Sequence, residues 1–347
     1  MTLPDGPINA ELAAALAEVT RLLAAAPQPA EAISVRDYLA AVLDAATPGT
    51  RKTYETYWHR LVKAHGDVPV PDVTTSQCAA LARAAKANAV CRSNGRGGSS
   101  AEENCIGALR AFFRLAVADK LRTDNPALAV RKPNHRRALT GPEQAELWAV
   151  TTNGGDDVLL DALLHRFHLE TGARRGGALS LRLCDLDDDN QLVLLREKGD
   201  TERWQPVSFT LLTALREHAS ARGGAGARDA VLRYKPKRGE TVGAPLTRRR
   251  YNTLTVRWQK ALPWAARLGV SPHWLRHTAI TAVERAAGHG VARAFAGHAL
   301  PGGNATTTTY IKASSSEVAA VVAVLTGEPH PLAEPEHMAG YQVVEEA

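Results

Sequence analysis

The stretch VRKPNHRRALTG, residues 130–141, constrains the fold most. It is basic, proline-containing and poor in apolar side chains, and it lies between two long runs of helix-periodic sequence. A segment of that texture adds nothing to a core, so each flank has to bury an apolar face of its own. Two domains follow, in a chain whose 347 residues are about two domains long. With 45% apolar and 22% charged residues, both have material for a core. The plainer reading of 130–141 is a solvated loop. The expected division is 1–32 as an N-terminal helix and its linker, 33–128 as a helical domain, 129–139 as the basic linker, 140–327 as the second domain and 328–347 as an acidic flexible tail.

Within these bounds the chain reads as mainly α. Leu12, Leu16, Val19 and Leu23 give residues 8–26 one apolar helical stripe, which ends at the two prolines of APQPAEA. Thr47 and Pro48 open a basic helix that gathers Arg51, Lys52, Arg60 and Lys63 around Tyr54 and Trp58. Beyond the loop SNGRGGSS, Ser100 and Glu103 form a capping-box pattern for the helix AEENCIGALRAFFRLAVADKL. That helix stops at RTDNPA, where Pro126 drives Asn125 out of helical geometry. Thr140 and Pro142 begin the second block. There QLVLLREKGDTERWQPVSF (191–209) reads as two strands about a turn at Lys198–Gly199–Asp200. Helices resume at TLLTALREHA and run to Gly327, and three prolines in the tail predict mobility. The second domain is therefore mixed, mostly helical with a small β-sheet.

Composition narrows the function classes. No run of 18 apolar residues exists, which excludes a helical membrane span. The first thirty residues are acidic and do not resemble a secretory leader. Cys78, Cys91, Cys105 and Cys184 are far apart and show neither a disulfide framework nor zinc spacing. The net charge is +6, but residues 1–50 set two arginines against six carboxylates and 328–347 hold five glutamates without a cation. The body between them carries the whole excess, mostly as arginine, whose fork suits phosphate. Nucleic acid is the partner this charge fits; a high-GC codon bias would give the same Arg-to-Lys ratio.

Four clusters could carry chemistry. In SPHWLRHTAITAVERAAG, Ser271 as N-cap and Pro272 as first residue put His273 and Arg276 on one face of a helix's first turn, where an anion is favoured. His273 and His277 also have zinc-peptidase spacing, but Trp274 stands where the glutamate base belongs. In LETGARRGGALSLRLCDLD, Arg174 sits where one helix breaks and the next begins; alone, such an arginine is more often a surface cation. Lys198 at a hairpin tip is ordinarily solvated. In AFAGHALPGGNATTTTYIKAS, Tyr310 follows His298 and a polar loop, and packing is the commoner role for such a tyrosine.

Taken in order, Arg174, Lys198, His273, Arg276, His298 and Tyr310 resemble the catalytic set of the tyrosine recombinase (phage integrase) family. The matching strings are TGARRGGALSLRLCDLD, REKGDTERWQPVS, HWLRH, AGH and TTTTYIKAS, with IGALRAFFRLAVADKLRTDNPA and RALTGPEQAEL extending the resemblance upstream. It covers about residues 33–327. Two departures stand out. Gly177 occupies a place where the family usually has an acidic residue, and LPGGNA lengthens the interval from His298 to Tyr310.

The resemblance implies a two-domain clamp of the Xer and Cre kind, with residues 1–32 too short for the additional arm-binding domain of lambda-type integrases. It implies double-stranded DNA as substrate, no metal or cofactor, and a site-specific recombinase working through a 3′-phosphotyrosyl intermediate. Arg174 and Arg276 neutralise the phosphate, His298 adds a hydrogen bond, Tyr310 attacks, His273 assists its deprotonation and Lys198 protonates the leaving 5′-hydroxyl. Arg51, Lys52, Arg60, Lys63, Arg131, Lys132, Arg136 and Arg137 are the expected DNA-binding cations. A free monomer, a tetramer on paired sites and a bacterial cytoplasmic, nucleoid-associated location follow, with a directionality factor left open. The helix SSSEVAAVVAVLTG docks on a neighbouring protomer in this family, or packs in cis. A type IB topoisomerase, a catalytically silent DNA-binding regulator and a zinc hydrolase around His273, His277 and His298 are the competing functions.

Overall fold

The structure, a computed structural model, describes residues 14–18, 20–21, 32–90, 97–133, 137–197, 201–297 and 314–341. They form two compact units, one of described residues up to Pro133 and one from Arg137 onward. Residues 14–18 and 20–21 are helical and exposed, Leu16 among them; Leu12, Val19 and Leu23 lie outside the described residues.

From Val35 on, the first unit is built on α1 (Val35–Ala45), α2 (Pro48–His65), α3 (Thr75–Ala87) and α4 (Ser99–Ala118). Ser34, Thr47 and Thr74 cap the first three with their side chains. Trp58, Leu61, Leu109, Phe112 and Phe113 fill the core, and the Trp58 indole donates to the Ala108 carbonyl at 2.8 Å. The capping box expected at Ser100 and Glu103 does not open α4. Its N-cap is Gly98, left-handed at φ 77°, where an added Cβ would stand 2.3 Å from the Lys86 carbonyl oxygen. Contact with α3 thus fixes the entry, and the helix starts ahead of the motif. It also ends before RTDNPA, at Ala118, because Lys120 turns left-handed (φ 59°).

The second unit opens with α5 (Gly141–Thr152), whose capping box joins Thr140 and Glu143. Next come α6 (Val158–Thr171), α7 (Arg175–Ser180), and an antiparallel sheet of β1 (Leu186–Asp187), β2 (Leu192–Glu197) and β3 (Thr201–Pro206) in the order β1-β2-β3. The helices α8 (Phe209–Ser220), α9 (Arg248–Ala261), α10 (Pro263–Leu268), α11 (His273–Ala296), α12 (Ser315–Thr326) and α13 (Pro335–Ala339) complete it. Helices do not continue unbroken from α8, as the sequence reading has it. Residues 221–247 are irregular, tied by the bridges Arg182↔Ala230 and Arg233↔Pro245; five glycines and two prolines there oppose a helix.

Buried charge welds this unit. Arg250 reaches Asp161 at 2.7 Å and Asp156 at 2.6 Å, Arg257 reaches Asp161 at 2.8 Å, and Arg222 grips Asp157 at 2.5 and 2.8 Å. Asp156 is exposed, but in the Arg250–Asp161 and Arg222–Asp157 pairs both partners are buried, and deleting one partner of such a pair costs about 3–5 kcal/mol because the other charge stays buried. The Arg250 and Arg257 pairs lock α9 onto α6, and the Arg222 pair ties the segment after α8 to the N-cap of α6.

The apolar helix α12 packs in cis: Val318, Val321 and Val322 join Val283, Phe295 and Ala279 of α11 in one cluster. The tail beyond it, expected to be flexible, is docked through residue 341. The Glu328 carboxylate accepts from the Thr210 backbone at 3.0 Å and pairs with Arg166, and His330 is buried, 3.1 Å from the Gln191 carbonyl. Fixed partners for an acid and an imidazole outweigh the proline content there. Among the described residues no helix is long and apolar enough to cross a membrane.

Candidate active site

The site is built on a sharp elbow between α6 and α7. Helix α6 ends at Gly172, which is left-handed at φ 57°, ψ 18°. An added Cβ there would lie 2.6 Å from the Phe295 ring, so conformation and close packing both require glycine. Ala173 follows, and Arg174 is the extended N-cap of α7 (φ −76°, ψ 155°). Thr171 braces the turn from within: its hydroxyl donates to the Phe167 carbonyl at 2.5 Å and accepts from the Ala173 amide at 3.1 Å.

Each elbow carbonyl receives a basic side chain from a different place. Arg203 of β3 donates to the Thr171 carbonyl at 3.2 Å. Arg276 of α11 donates to the Gly172 carbonyl, and its other terminal nitrogen to the Ala296 carbonyl at 2.6 Å. His168 lies 2.9 Å, through Nδ1, from the Ala173 carbonyl. Arg276 is only 3% exposed. The two carbonyls take one N–H from each terminal nitrogen without cancelling the charge, as a carboxylate would.

Helix α11 begins later than expected. Pro272 is the N-cap, in right-handed geometry, no side chain caps the helix, and the Trp274 amide bonds the Ser271 carbonyl at 2.8 Å. His273 and Arg276 share the first turn but differ in setting: His273 is exposed, its ring 4.7 Å from that of His277, while Arg276 points inward. The element is also broken. Gly288 takes φ 81°, ψ 173°. A straight helix would separate residues 276 and 296 by about 30 Å, so only this reversal lets Arg276 reach Ala296.

In front of the elbow lies a cavity of about 450 Å³ lined by Arg174, Arg175, Arg248, Tyr251, Asn252 and His273, among others. Arg248 faces it while Arg250, two residues on, is held by Asp156 and Asp161. Burial holds the Tyr251 phenol well above its usual range, so it stays a neutral O–H. Three arginines and two imidazoles, His168 and His273, around an open hollow suit an anion.

Lys198, His298 and Tyr310 lie outside the described residues. The β2–β3 pairing is described through Glu197↔Thr201, the two residues that flank 198–200. Among the described residues no group of three His, Cys, Asp or Glu could hold a metal ion. The nominated DNA-binding cations fall into two kinds. Lys52, Lys63, Arg131 and Lys132 are exposed, and Arg60 lies 5.4 Å over the Tyr57 ring. Arg51 pairs with Glu55 at 3.2 Å, and Arg137 forks onto Glu143 at 2.6 and 2.5 Å, holding that carboxyl at about 2 chiefly through the hydrogen bonds. Arg136 lies outside the described residues.

The sequence reading missed Arg203, His168, Tyr251 and Arg248. Arg203 had a signal: along β3 it is in phase with Gln205 and opposite Leu195, both buried, while Trp204 between them is 47% exposed. A charge on the buried face of a strand is there to bind something.

A mostly helical unit with a three-stranded sheet and a paired-arginine elbow is the frame of a tyrosine recombinase catalytic domain. The chain belongs to the phage integrase family, whose model matches residues 138–317. It is similar to tyrosine recombinase XerD of Mycobacterium tuberculosis (strain H37Rv), 33% identical over 224 residues, 59% of this chain and 66% of that one. It also resembles XerD of Rhizobium meliloti (strain 1021), 28% identical over 197 residues, 52% of this chain and 60% of that one. The matched region thus spans about three fifths of these relatives. Among solved structures, the Tn1549 transposon integrase in complex with transposon right end DNA aligns with TM-score 0.54 and 18% identity, covering 84% of this chain and 99% of that one. The lambda integrase tetramer bound to a Holliday junction aligns at 0.51 and 16%, covering 87% and 90%. At such identities these two likenesses bear on the fold alone.

Proposed function

We propose that this chain is a site-specific DNA recombinase that cleaves and rejoins strands through a 3′-phosphotyrosyl intermediate, exchanging them between two sites. The observation that carries this reading is the elbow: Arg276 is bonded to the backbone two residues before Arg174, so two guanidiniums of the family set are mechanically linked beside one basic cavity.

The chemistry then runs as follows. Arg174 and Arg276 offset the charge that builds on the two non-bridging oxygens, and His298 donates to one of them. The Tyr310 hydroxyl attacks phosphorus and forms the P–O bond of the ester, while its proton passes to His273. The P–O bond to the 5′-oxygen breaks, and Lys198 protonates that oxygen. Attack by the 5′-hydroxyl of another strand reverses the step, so the energy of the broken phosphodiester is kept and no ATP is needed. These roles for Arg174, Lys198, His273, Arg276, His298 and Tyr310 rest on the family match together with the position of the described three.

In this reading residues 33–128 are the core-DNA-binding domain, 129–139 the linker and 140–327 the catalytic domain. Arg51, Lys52, Arg60, Lys63, Arg131, Lys132, Arg136 and Arg137 face the duplex, the paired Arg51 and Arg137 contributing least. The enzyme is a monomer in solution and a tetramer on paired sites, and it works in the bacterial cytoplasm on nucleoid DNA. XerD relatives and the DNA-bound integrase folds support this reading.

The test uses nicked duplexes drawn from DNA flanking the gene, with EDTA present, so that the short 5′-hydroxyl fragment diffuses away. A denaturation-resistant adduct that disappears in Tyr310→Phe is expected. Specific binding without any adduct would instead make the chain a silent regulator.

A further inference from the structure

We propose that His168 and Tyr251 are positioning residues for Arg174, a buried relay through which α9 holds the elbow in its working shape. The inference rests on the recombinase reading of the site.

His168 is 2% exposed and Tyr251 3%, and nothing in the proposed chemistry uses either. Nδ1 of His168 lies 2.9 Å from the Ala173 carbonyl oxygen, and Nε2 lies 2.9 Å from the Tyr251 hydroxyl. A carbonyl only accepts, which assigns a proton to Nδ1; in the neutral ring Nε2 then keeps a lone pair. The Tyr251 phenol, kept neutral by its burial, supplies the O–H for that lone pair. Donor and acceptor therefore match at both ends of the imidazole.

The carbonyl it holds matters. The Ala173 C=O and the Arg174 N–H belong to one rigid peptide plane. Fixing that oxygen fixes the plane from which the Arg174 side chain departs. The two preceding planes are held by Arg276 at Gly172 and Arg203 at Thr171. His168 thus completes three consecutive planes, each held by a different basic side chain. Tyr251 has its own anchor, since the neighbouring Arg250 is bonded to Asp161 and Asp156. The same phenol and imidazole also form part of the cavity wall that carries Arg174 and Arg175. This gives Arg174 an orienting device in a chain with Gly177, not an acid, three residues after it.

Wild type, Tyr251→Phe, His168→Leu and His168→Asn are compared in the full chain. The readouts are DNA affinity, the single-turnover rate of adduct formation on the nicked duplex at saturating protein, and the NMR order parameter of the Arg174 Nε–H. Misplacing a reacting group by a fraction of an ångström to an ångström costs about ten- to a hundredfold in rate. His168→Leu is expected to lose that much while binding DNA as tightly as wild type, and its Arg174 order parameter falls. His168→Asn, whose amide N–H can take the place of Nδ1, recovers most of the rate. Tyr251→Phe falls between and keeps the core packing, so it carries the test if His168→Leu does not fold.

Unchanged rate and Arg174 order in Tyr251→Phe and His168→Leu overturn the proposal. So does an Asn variant no better than Leu, or loss of binding in parallel with rate. A wild type that binds yet forms no adduct defeats the recombinase reading instead, and the Arg174 order parameter still decides the positioning role.

Discussion

Arg276 and Gly172 lie 104 residues apart in sequence, yet the guanidinium of one donates to the carbonyl of the other. The bond places a buried cation against the only left-handed residue of the α6–α7 elbow. From there Arg276 also reaches Ala296, immediately before the Gly297–His298 pair. One side chain therefore ties together the chain segments leading to Arg174 and to His298.

Lysine should not replace Arg276. A single ammonium cannot span two carbonyls facing a planar fork. Loss of one preorganised donor of this type lowers a rate by about 10²–10³-fold. Arg276→Lys is expected to lose at least the lower figure in single-turnover adduct formation while remaining folded. A lysine variant within a few-fold of wild type would refute the bidentate role.

Gly288 should resist substitution although open space surrounds it. Its φ of 81° with ψ of 173° is a backbone state that side chains avoid, at a cost of about 1–3 kcal/mol. Gly288→Ala is expected to lower the free energy of denaturant unfolding by that amount, with Gly49→Ala, also in open space but within α2, as the comparison. Equal effects at the two positions would mean that the reversal stores no strain.

Salt dependence should separate the nominated cations. Each phosphate-bound cation contributes about one unit to the slope of log K against log salt. Arg131→Ala and Lys132→Ala are expected to reduce the slope by about one each. Arg137→Ala should change it less, because the fork onto Glu143 must open first. Titrations across a range of salt concentrations give the slopes, and an equal reduction for all three would contradict this division.

Acid should destabilise the second unit before its carboxylates protonate. His165 is pulled down to about 4 by burial, and His218 to about 4 by burial and the nearby Arg222. Both are depressed below the unfolded value of 6.5, so the unfolded chain binds more protons between the two values. Their stabilisation is complete above 6.5 and is lost as pH falls toward 4, at most about 3 kcal/mol each. Melting temperature measured against pH should be level above 6.5 and fall below it. A melting temperature that holds or rises between pH 6.5 and 4 would refute the buried neutral imidazoles.

What could be read from sequence was what local chemistry decides. Thr47 and Thr140 stand where the sequence opens their helices, and in the structure each caps its helix, since an N-cap needs only its own first turn. Ser100 and Glu103 carry the same pattern and do not cap, because packing of Gly98 on Lys86 sets the entry. Arg174, His273 and Arg276 were nominated through the order of family strings, but that Arg276 points inward could not be known before its carbonyl partners were placed. His168 and Tyr251 meet across 83 residues and match no motif; a buried polar pair is legible only once tertiary structure supplies both ends. The docked tail is a similar case. Its prolines and glutamates have the texture of a solvated segment, and Arg166, Thr210 and Gln191 make it otherwise.

The reversal at Gly288 also bears on how the second unit assembles. Because the chain doubles back, Arg276 and Ala296 meet across 20 residues of sequence, not by docking of remote elements. Closing a loop of that length costs little more entropy than closing one half as long, about 0.6 kcal/mol per doubling. The clasp is thus a low-contact-order piece in a unit whose other defining contact, Arg276 to Gly172, spans 104 residues. Early formation of such a local contact would present a preassembled guanidinium to the α6 terminus as it arrives, turning a search among many conformers into the capture of one.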